Sequence, residues 1–182
     1  MNFVSKLPPP ATSPSAFEAF WRLGYRRLIP IIPPGAPISE TSSLFKRIGT
    51  AQDGRGKIPG IKGRDGKWRS FNWIGCVADE RDIERWTSMG AGVGFLTGEH
   101  LVGIDVDTMA DQWSGLALGE IAKRFGPLPL RSGNVPKFLC VVRLSTPMKN
   151  ARIEFGESDR IEILTAGRQF VGAGIHPKTM KP

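Results

Sequence analysis

The segment Leu101-Val102-Gly103-Ile104-Asp105-Val106-Asp107 constrains this chain more than any other, because it sets two carboxylates into an apolar run. Strand side chains alternate with period two. Asp105 and Asp107 are therefore expected on one face of a strand, with Val102, Ile104 and Val106 on the other. Carboxylates are rare in such a run unless they are solvated, paired or metal-bound. Two of them at i and i+2 repel each other, and a divalent cation removes the repulsion by sharing their oxygens. The alternative is that Asp107 ends the strand as a turn residue while Asp105 lies on a solvated face.

A third carboxylate has a similar setting. Arg160-Ile161-Glu162-Ile163-Leu164 sets Glu162 on the face opposite Ile161 and Ile163. If this strand neighbours the first, three acids converge. Such a constellation suits a pair of cations that hold a nucleoside triphosphate and activate a 3′-hydroxyl for in-line attack on the α-phosphorus. Hard oxygen ligands favour Mg²⁺ or Mn²⁺ over zinc. Glu162 alone is a weak signal, since Arg160 shares its face and could pair with it as a surface ion pair.

Between the acids lies Arg131-Ser132-Gly133-Asn134-Val135-Pro136-Lys137. A glycine between Ser and Asn offers backbone N–H groups and short donors at a turn, a candidate phosphate nest. Arg131 can grip a phosphate with two bonds, and Lys137 adds a compact charge. Read by itself the segment is equally an ordinary polar hairpin approach. It is not a P-loop, whose G-x-x-x-x-G-K-[ST] pattern is absent. His176 follows Gly172-Ala173-Gly174-Ile175 and either shapes a turn or donates to a phosphate or sugar oxygen. His100 reads as solvated surface. Cys76 and Cys140 cannot frame a disulfide scaffold, and with His100 and His176 they lack the close spacing of a zinc site. They read as small, reduced, mostly buried side chains.

The 182 residues carry a net charge of +8, all of it in the first part: residues 1–75 hold twelve basic and four acidic residues, and residues 76–182 hold thirteen of each. Arg26, Arg27, Arg47, Arg55, Lys57, Lys62, Arg64, Lys67 and Arg69 are the candidate contacts to a phosphate backbone. A solubilising surface would have the same composition. No apolar run is long enough to span a bilayer and the first residues contain no secretory h-region, so a cytoplasmic location is the default.

The pattern predicts an α+β (mixed α/β) chain, read as one domain over residues 1–182. Residues 1–12 form a proline-rich, flexible lead-in, and Ser13-Pro14 opens a helix that buries Phe17, Phe20, Trp21 and Leu23 and ends at Gly24. A strand follows over 26–32. Residues 33–66 read as a surface excursion with one short helical piece over 43–48. Asp79 and Asp82 form a variant capping box for a helix through Trp86. Strands are expected over 91–97, 101–107, 138–144, 160–164 and 169–172, and a helix over 112–125 capped by Asp111 and closed by Gly126-Pro127.

Taken in order, several of these pieces resemble one family. They are Gly92-Val93-Gly94-Phe95-Leu96-Thr97-Gly98 running into Ile104-Asp105-Val106-Asp107, then Arg131-Ser132-Gly133-Asn134, then Ile161-Glu162-Ile163, Gln169-Phe170-Val171 and Gly174-Ile175-His176-Pro177. The chain resembles the bifunctional DNA primase/polymerase N-terminal domain, a phage- and plasmid-type branch of the archaeo-eukaryotic primase superfamily, over most of its length. The resemblance implies a primase-polymerase fold, with a small α/β lobe joined to an RRM-like catalytic lobe. It implies Asp105, Asp107 and Glu162 as catalytic metal ligands for Mg²⁺ or Mn²⁺. The family's phosphate-binding histidine maps onto Phe138, so Pro136-Lys137 is expected to supply the charge, with Arg131 and His176 assisting. The expected activity is template-directed nucleotidyl transfer, as a DNA primase, a DNA polymerase or both, in a bacterial or archaeal cell. The implied partners are a DNA template/primer, a dNTP or NTP, and a fused or associated helicase domain beyond residue 182. A catalytically weak DNA-binding or initiator module is the rival expectation, and a nuclease using the same acids is a third.

Overall fold

The computed structural model describes residues 15–98 and 100–181. The expected lead-in, the Ser13 cap, Pro14 and Glu99 lie outside them. In chain order the elements are α1 (Ser15–Arg22), β1 (Leu28–Ile31), a 3₁₀ turn (Phe45–Arg47), β2 (Ile61–Lys62), β3 (Trp68–Arg69), α2 (Glu80–Ser88), β4 (Gly92–Leu96), β5 (Leu101–Asp107), α3 (Asp111–Phe125), β6 (Leu130–Arg131), β7 (Phe138–Arg143), β8 (Ala151–Phe155), β9 (Asp159–Leu164) and β10 (Gln169–Ala173). The class is α+β, as the sequence predicts, with antiparallel pairing in each of its sheets. The described residues fall into two compact units: those of 97–169 form one, and residues 15–96 join 170–181 in the other.

In the second of these units, β1, β4 and β10 form a three-stranded sheet with β4 in the centre. All five β4 residues are buried, as a central strand covered on both faces requires. Pro30 sits inside β1 because β1 is an edge strand, where a missing N–H costs little; its carbonyl accepts a bond from the Gly60 amide at 3.0 Å. Phe95 is the hub of an aromatic cluster. Its ring meets Phe20 at 4.7 Å and Tyr25 at 5.0 Å edge-on, and stacks on Phe170 at 5.1 Å. Gly172 is small for the same reason: a Cβ there would stand 2.2 Å from the Phe95 ring.

Helices α1 and α2 pack together through Phe17 and Trp86, with ring centres 5.7 Å apart. The capping box read from the sequence starts α2, Asp79 accepting from the Asp82 amide at 2.8 Å and Asp82 accepting in return. Leu23, expected in the α1 core, is exposed, because α1 ends at Arg22 and the chain turns away at Gly24 with φ +86°. The first strand is also shorter than expected, and only one turn of 3₁₀ helix forms within 43–48.

Within residues 33–66, read as a surface excursion, residues 45–55 are exposed or half-buried, while Ala36, Ile38, Ser39 and Leu44 are buried and β2 pairs with β3. Trp68, only 2% exposed, is the anchor: its amide donates to Pro37 at 2.7 Å, and its carbonyl accepts from the Ser39 amide at 2.8 Å. A Gly- and Pro-rich segment can still be ordered when one large aromatic residue supplies the apolar area.

The unit of residues 97–169 is a five-stranded antiparallel sheet in the order β6-β7-β5-β9-β8. One face carries Val102, Ile104, Val106, Phe138, Cys140 and Val142, and Ala117 and Ile121 of α3 pack on them. Asp111 is not the cap of α3; Ala110 holds that position, its amide bonded to Thr108 Oγ1 at 3.1 Å, and Asp111 lies in the first turn, where its charge favours the helix dipole. Gly126, at φ +75°, ends the helix as expected. The strands β6 and β8 were not legible in the sequence.

A candidate active site on the five-stranded sheet

The face turned away from α3 is charged, and its layout follows from register alone. Strand β9 pairs with β5 so that Glu162 is directly opposite Asp105 and Arg160 is opposite Asp107. Strand β7 lies on the other side of β5 and sets Leu139 opposite Asp105, while β6 sets Arg131 opposite Leu139. Strand β8 adds Arg152 opposite Glu162 and Glu154 opposite Arg160. One row therefore reads Arg131, Leu139, Asp105, Glu162, Arg152 across all five strands. Residues paired this way hold their Cβ atoms about 4.5–5.5 Å apart, and like charges in such a pair destabilise the sheet. Asp105 against Glu162 is such a pair.

Cations offset the repulsion. Lys137 Nζ lies 2.6 Å from Asp107 Oδ1, and the Arg160 guanidinium lies 2.7 Å from Asp107 Oδ2. Arg160 also donates through Nε to Glu162 at 3.2 Å, so one guanidinium spans two acids. The surface pair of Arg160 with Glu162 anticipated from the sequence is thus present, and it extends to Asp107. Burial pulls the Arg131 guanidinium below its ordinary pKa, and the neighbouring Asp105 charge pulls it back up. Asp107 and Glu162 are half-buried, which strengthens these pairs over fully exposed ones.

The loop between β6 and β7 is built to aim Lys137. Ser114 of α3, itself buried, donates to the Pro136 carbonyl at 2.6 Å, and the Lys137 amide donates to Asn134 at 3.0 Å. Ser132 turns inward as well, its hydroxyl donating to the Lys137 carbonyl at 2.6 Å. Asn134 approaches the Met109 sulfur at 3.8 Å. Ser132 and Asn134, expected as phosphate donors, are here engaged in holding the loop. Gly133 is half-buried within it.

Phe138, onto which the resemblance maps the phosphate-binding histidine, is 6% exposed and belongs to the core under α3, on the opposite face from the acids. The position facing the acids is Lys137. His176 lies in the unit that contains residues 170 onward. There its Nδ1 accepts from the Lys178 and Thr179 amides at 3.4 and 3.3 Å, and its own amide donates to Lys181 at 2.7 Å, which organises a turn. His100 is exposed, with its Nδ1 2.9 Å from the Leu144 carbonyl.

The basic residues named from the sequence also fall in that unit, and the structure sorts them. Arg55 is a structural residue: it forms a multiply bonded pair with Asp53, at 2.6 Å, and donates to Ala36 at 3.0 Å. Lys67 pairs with Glu40, Arg69 with Asp65 and Ser39, and Arg47 donates to Gln52. Arg26 stacks over the Trp21 ring at 3.8 Å. Arg27, Lys57, Lys62 and Arg64 are exposed. Arg55 holds the Asp53 carboxyl down at about 2 from an ordinary 3.8. A depressed carboxylate stabilises the fold above its unfolded value and loses that contribution as pH falls through the folded one. Wild-type melting temperature is therefore expected to fall more between pH 3.8 and about 2 than that of Asp53→Asn, read by thermal unfolding across the range. Equal slopes would show that the pair carries no stability.

Asp105, Asp107 and Glu162 fit a hard divalent ion in donor type and in backbone placement. Side-chain placement differs: among the described residues no three His, Cys, Asp or Glu side chains stand in a ligating arrangement, and Arg160 pairs with both Asp107 and Glu162. The thiols are free; burial pushes Cys140 up to about 11, which makes it inert. No helix among the described residues is long and apolar enough to cross a membrane. No family model, curated protein or solved structure matches the chain.

Proposed function

We propose that this chain is a metal-dependent nucleotidyltransferase that makes or extends a primer on a DNA template. The observation that carries the reading is the β5–β9 register, which sets Asp105 directly against Glu162 with Asp107 two residues away on the same face. Opposed carboxylates destabilise a sheet, and sites that tolerate them are candidates for function. Asp105, Asp107 and Glu162 would hold Mg²⁺ or Mn²⁺, which would supply charge neutralisation and a more acidic 3′-hydroxyl.

The chain's own cations do the rest. Lys137, Arg160 and Arg131 are the groups that would turn to the oxygens of a dNTP or NTP, and in doing so Lys137 and Arg160 release Asp107. The charged face holds four acids (Asp105, Asp107, Glu154, Glu162) and five cations (Arg131, Lys137, Arg143, Arg152, Arg160), an excess of one positive charge that is too small to neutralise a triphosphate, so a divalent cation would have to arrive with it. The 3′-oxygen bonds to the α-phosphorus, the bond to the β-phosphate bridge breaks, pyrophosphate leaves, and the hydroxyl proton passes to solvent. Arg27, Lys57, Lys62 and Arg64 would follow the template backbone, giving salt-dependent binding. A cytoplasmic setting in a cell carrying a phage or plasmid, with a helicase domain alongside, completes the proposal.

One observation favours a second reading. Both Asp107 oxygens are already engaged by Lys137 and Arg160, which suits a self-neutralising surface on a DNA-binding or initiator module. Incubation with a primed template, dNTPs or NTPs, and Mg²⁺ or Mn²⁺ separates the two. Lengthened primer supports the proposal, shortened strand indicates a nuclease, and DNA binding without product leaves only the binding module.

A further inference from the structure

Strand β8 is the outer strand of the five-stranded sheet, with β9 as its one strand neighbour among the described residues. Its residues Ala151 to Glu154 are exposed, and Ile153 is 59% exposed. An exposed sheet edge is a template for pairing with another chain, and charges on it blunt that pairing unless the partner complements them. This edge carries one cation and one anion, Arg152 and Glu154, placed symmetrically about Ile153 and paired with each other within the strand.

We infer that β8 pairs antiparallel with β8 of a second copy of this chain, about a two-fold axis through Ile153. In that register Ile153 meets the partner's Ile153, Arg152 meets the partner's Glu154, and Glu154 meets the partner's Arg152. Both cross-strand pairs are attractive and would extend the Arg152–Glu154 pair of each strand into a four-charge network, so the edge is complementary to itself, as a two-fold interface requires. A shift by one residue would turn the isoleucines onto the charged face, so the register is specified.

The apolar face supports the same partner. A helix about 10 Å across cannot cover five strands spaced about 4.8 Å apart. Accordingly Val106 and Cys140, beneath α3, are fully buried, Ile161 and Ile163 on β9 are half-buried, and Ile153 on β8 is exposed. Trp113 and Leu116 of α3 are exposed beside them, with Trp113 against Phe155 at 5.8 Å. The two-fold keeps both copies the same way up, so each copy's uncovered isoleucine is covered by the other's. The two β5 strands would then lie five strand spacings apart, about 24 Å, on one continuous ten-stranded sheet. An interface built on one short strand is small, on the order of 1,200 Å² or less, so dimerisation is concentration-dependent.

The test is light-scattering mass on the whole chain across low to high micromolar concentration, with the circular dichroism of each variant confirming its fold. The wild type is expected to rise from 19.9 kDa toward twice that mass. R152E alone and E154R alone oppose like charges and are each expected to stay monomeric. R152E/E154R restores complementarity and is expected to dimerise again, and an equimolar mixture of R152E with E154R is expected to form a heterodimer. A wild type that stays monomeric throughout overturns the inference. So does a dimer that survives both single charge reversals, since it would use another surface.

Discussion

Replacing Asp105 and Asp107 together by alanine is expected to abolish primer extension while leaving DNA binding within a few-fold of wild type. Losing a single preorganised donor to a transition state costs on the order of 10²–10³-fold. Removing two of the three carboxylates proposed to hold metal should exceed that and reach background. Fluorescence anisotropy on a primed template measures the retained binding, because the exposed cations Arg27, Lys62 and Arg64 lie in the unit that lacks the acids. Glu162→Gln refines the result. It gives up a half-exposed pair with Arg160, which keeps Asp107, and it removes the repulsion across the β5–β9 pair. These terms are each about 1 kcal/mol or less and opposite in sign. Glu162→Gln is therefore expected to unfold at nearly the wild-type urea concentration and yet to be inactive. Unchanged incorporation in either variant would remove the proposed chemistry. A large loss of stability in Glu162→Gln would make the cluster a structural ion-pair network.

Phe95→Ala is expected to be the most destabilising single change in its unit, by about 3–5 kcal/mol. Phe95 is buried against Phe20, Tyr25 and Phe170, so truncation leaves a cavity and removes three aromatic contacts at once. Domains of this size are stable by only about 5–15 kcal/mol, so the loss takes a large share. Leu23→Ala is the control: the side chain is 66% exposed and the change should stay within about 0.5 kcal/mol. Urea unfolding followed by tryptophan fluorescence compares the two, with Trp86 buried in the same unit as reporter. A cost near that of Leu23→Ala would mean that the cluster repacks around the gap.

Alternation in Leu101–Asp107, the Asp79–Asp82 box and the Gly126 stop are local patterns, and each is present in the structure where the residues placed it. Where local pattern was thin, the sequence misled or was silent. Residues 33–66 look like loop by composition, and they are tied down by residues outside that window: Trp68 bonds Pro37 and Ser39, and Ile32 bonds Gly56 and Ile58. Strand β8 carries the alternation Arg-Ile-Glu-Phe, yet its charges and short length resemble a loop until β9 pairs with it. Phe138 and Lys137 are adjacent in sequence, and only the strand phase decides which of them faces the acids.

The sequence by itself determined the class of the chain, the strand that carries Asp105 and Asp107, and the face on which Glu162 lies, because periodicity of two is a property of each strand alone. Tertiary structure decided that β9 lies beside β5, that Glu162 is opposite Asp105, and that Arg160 and Lys137 converge on Asp107. Those facts depend on contacts between residues thirty or more positions apart, and register between distant strands is set by the packing of the whole sheet rather than by either segment.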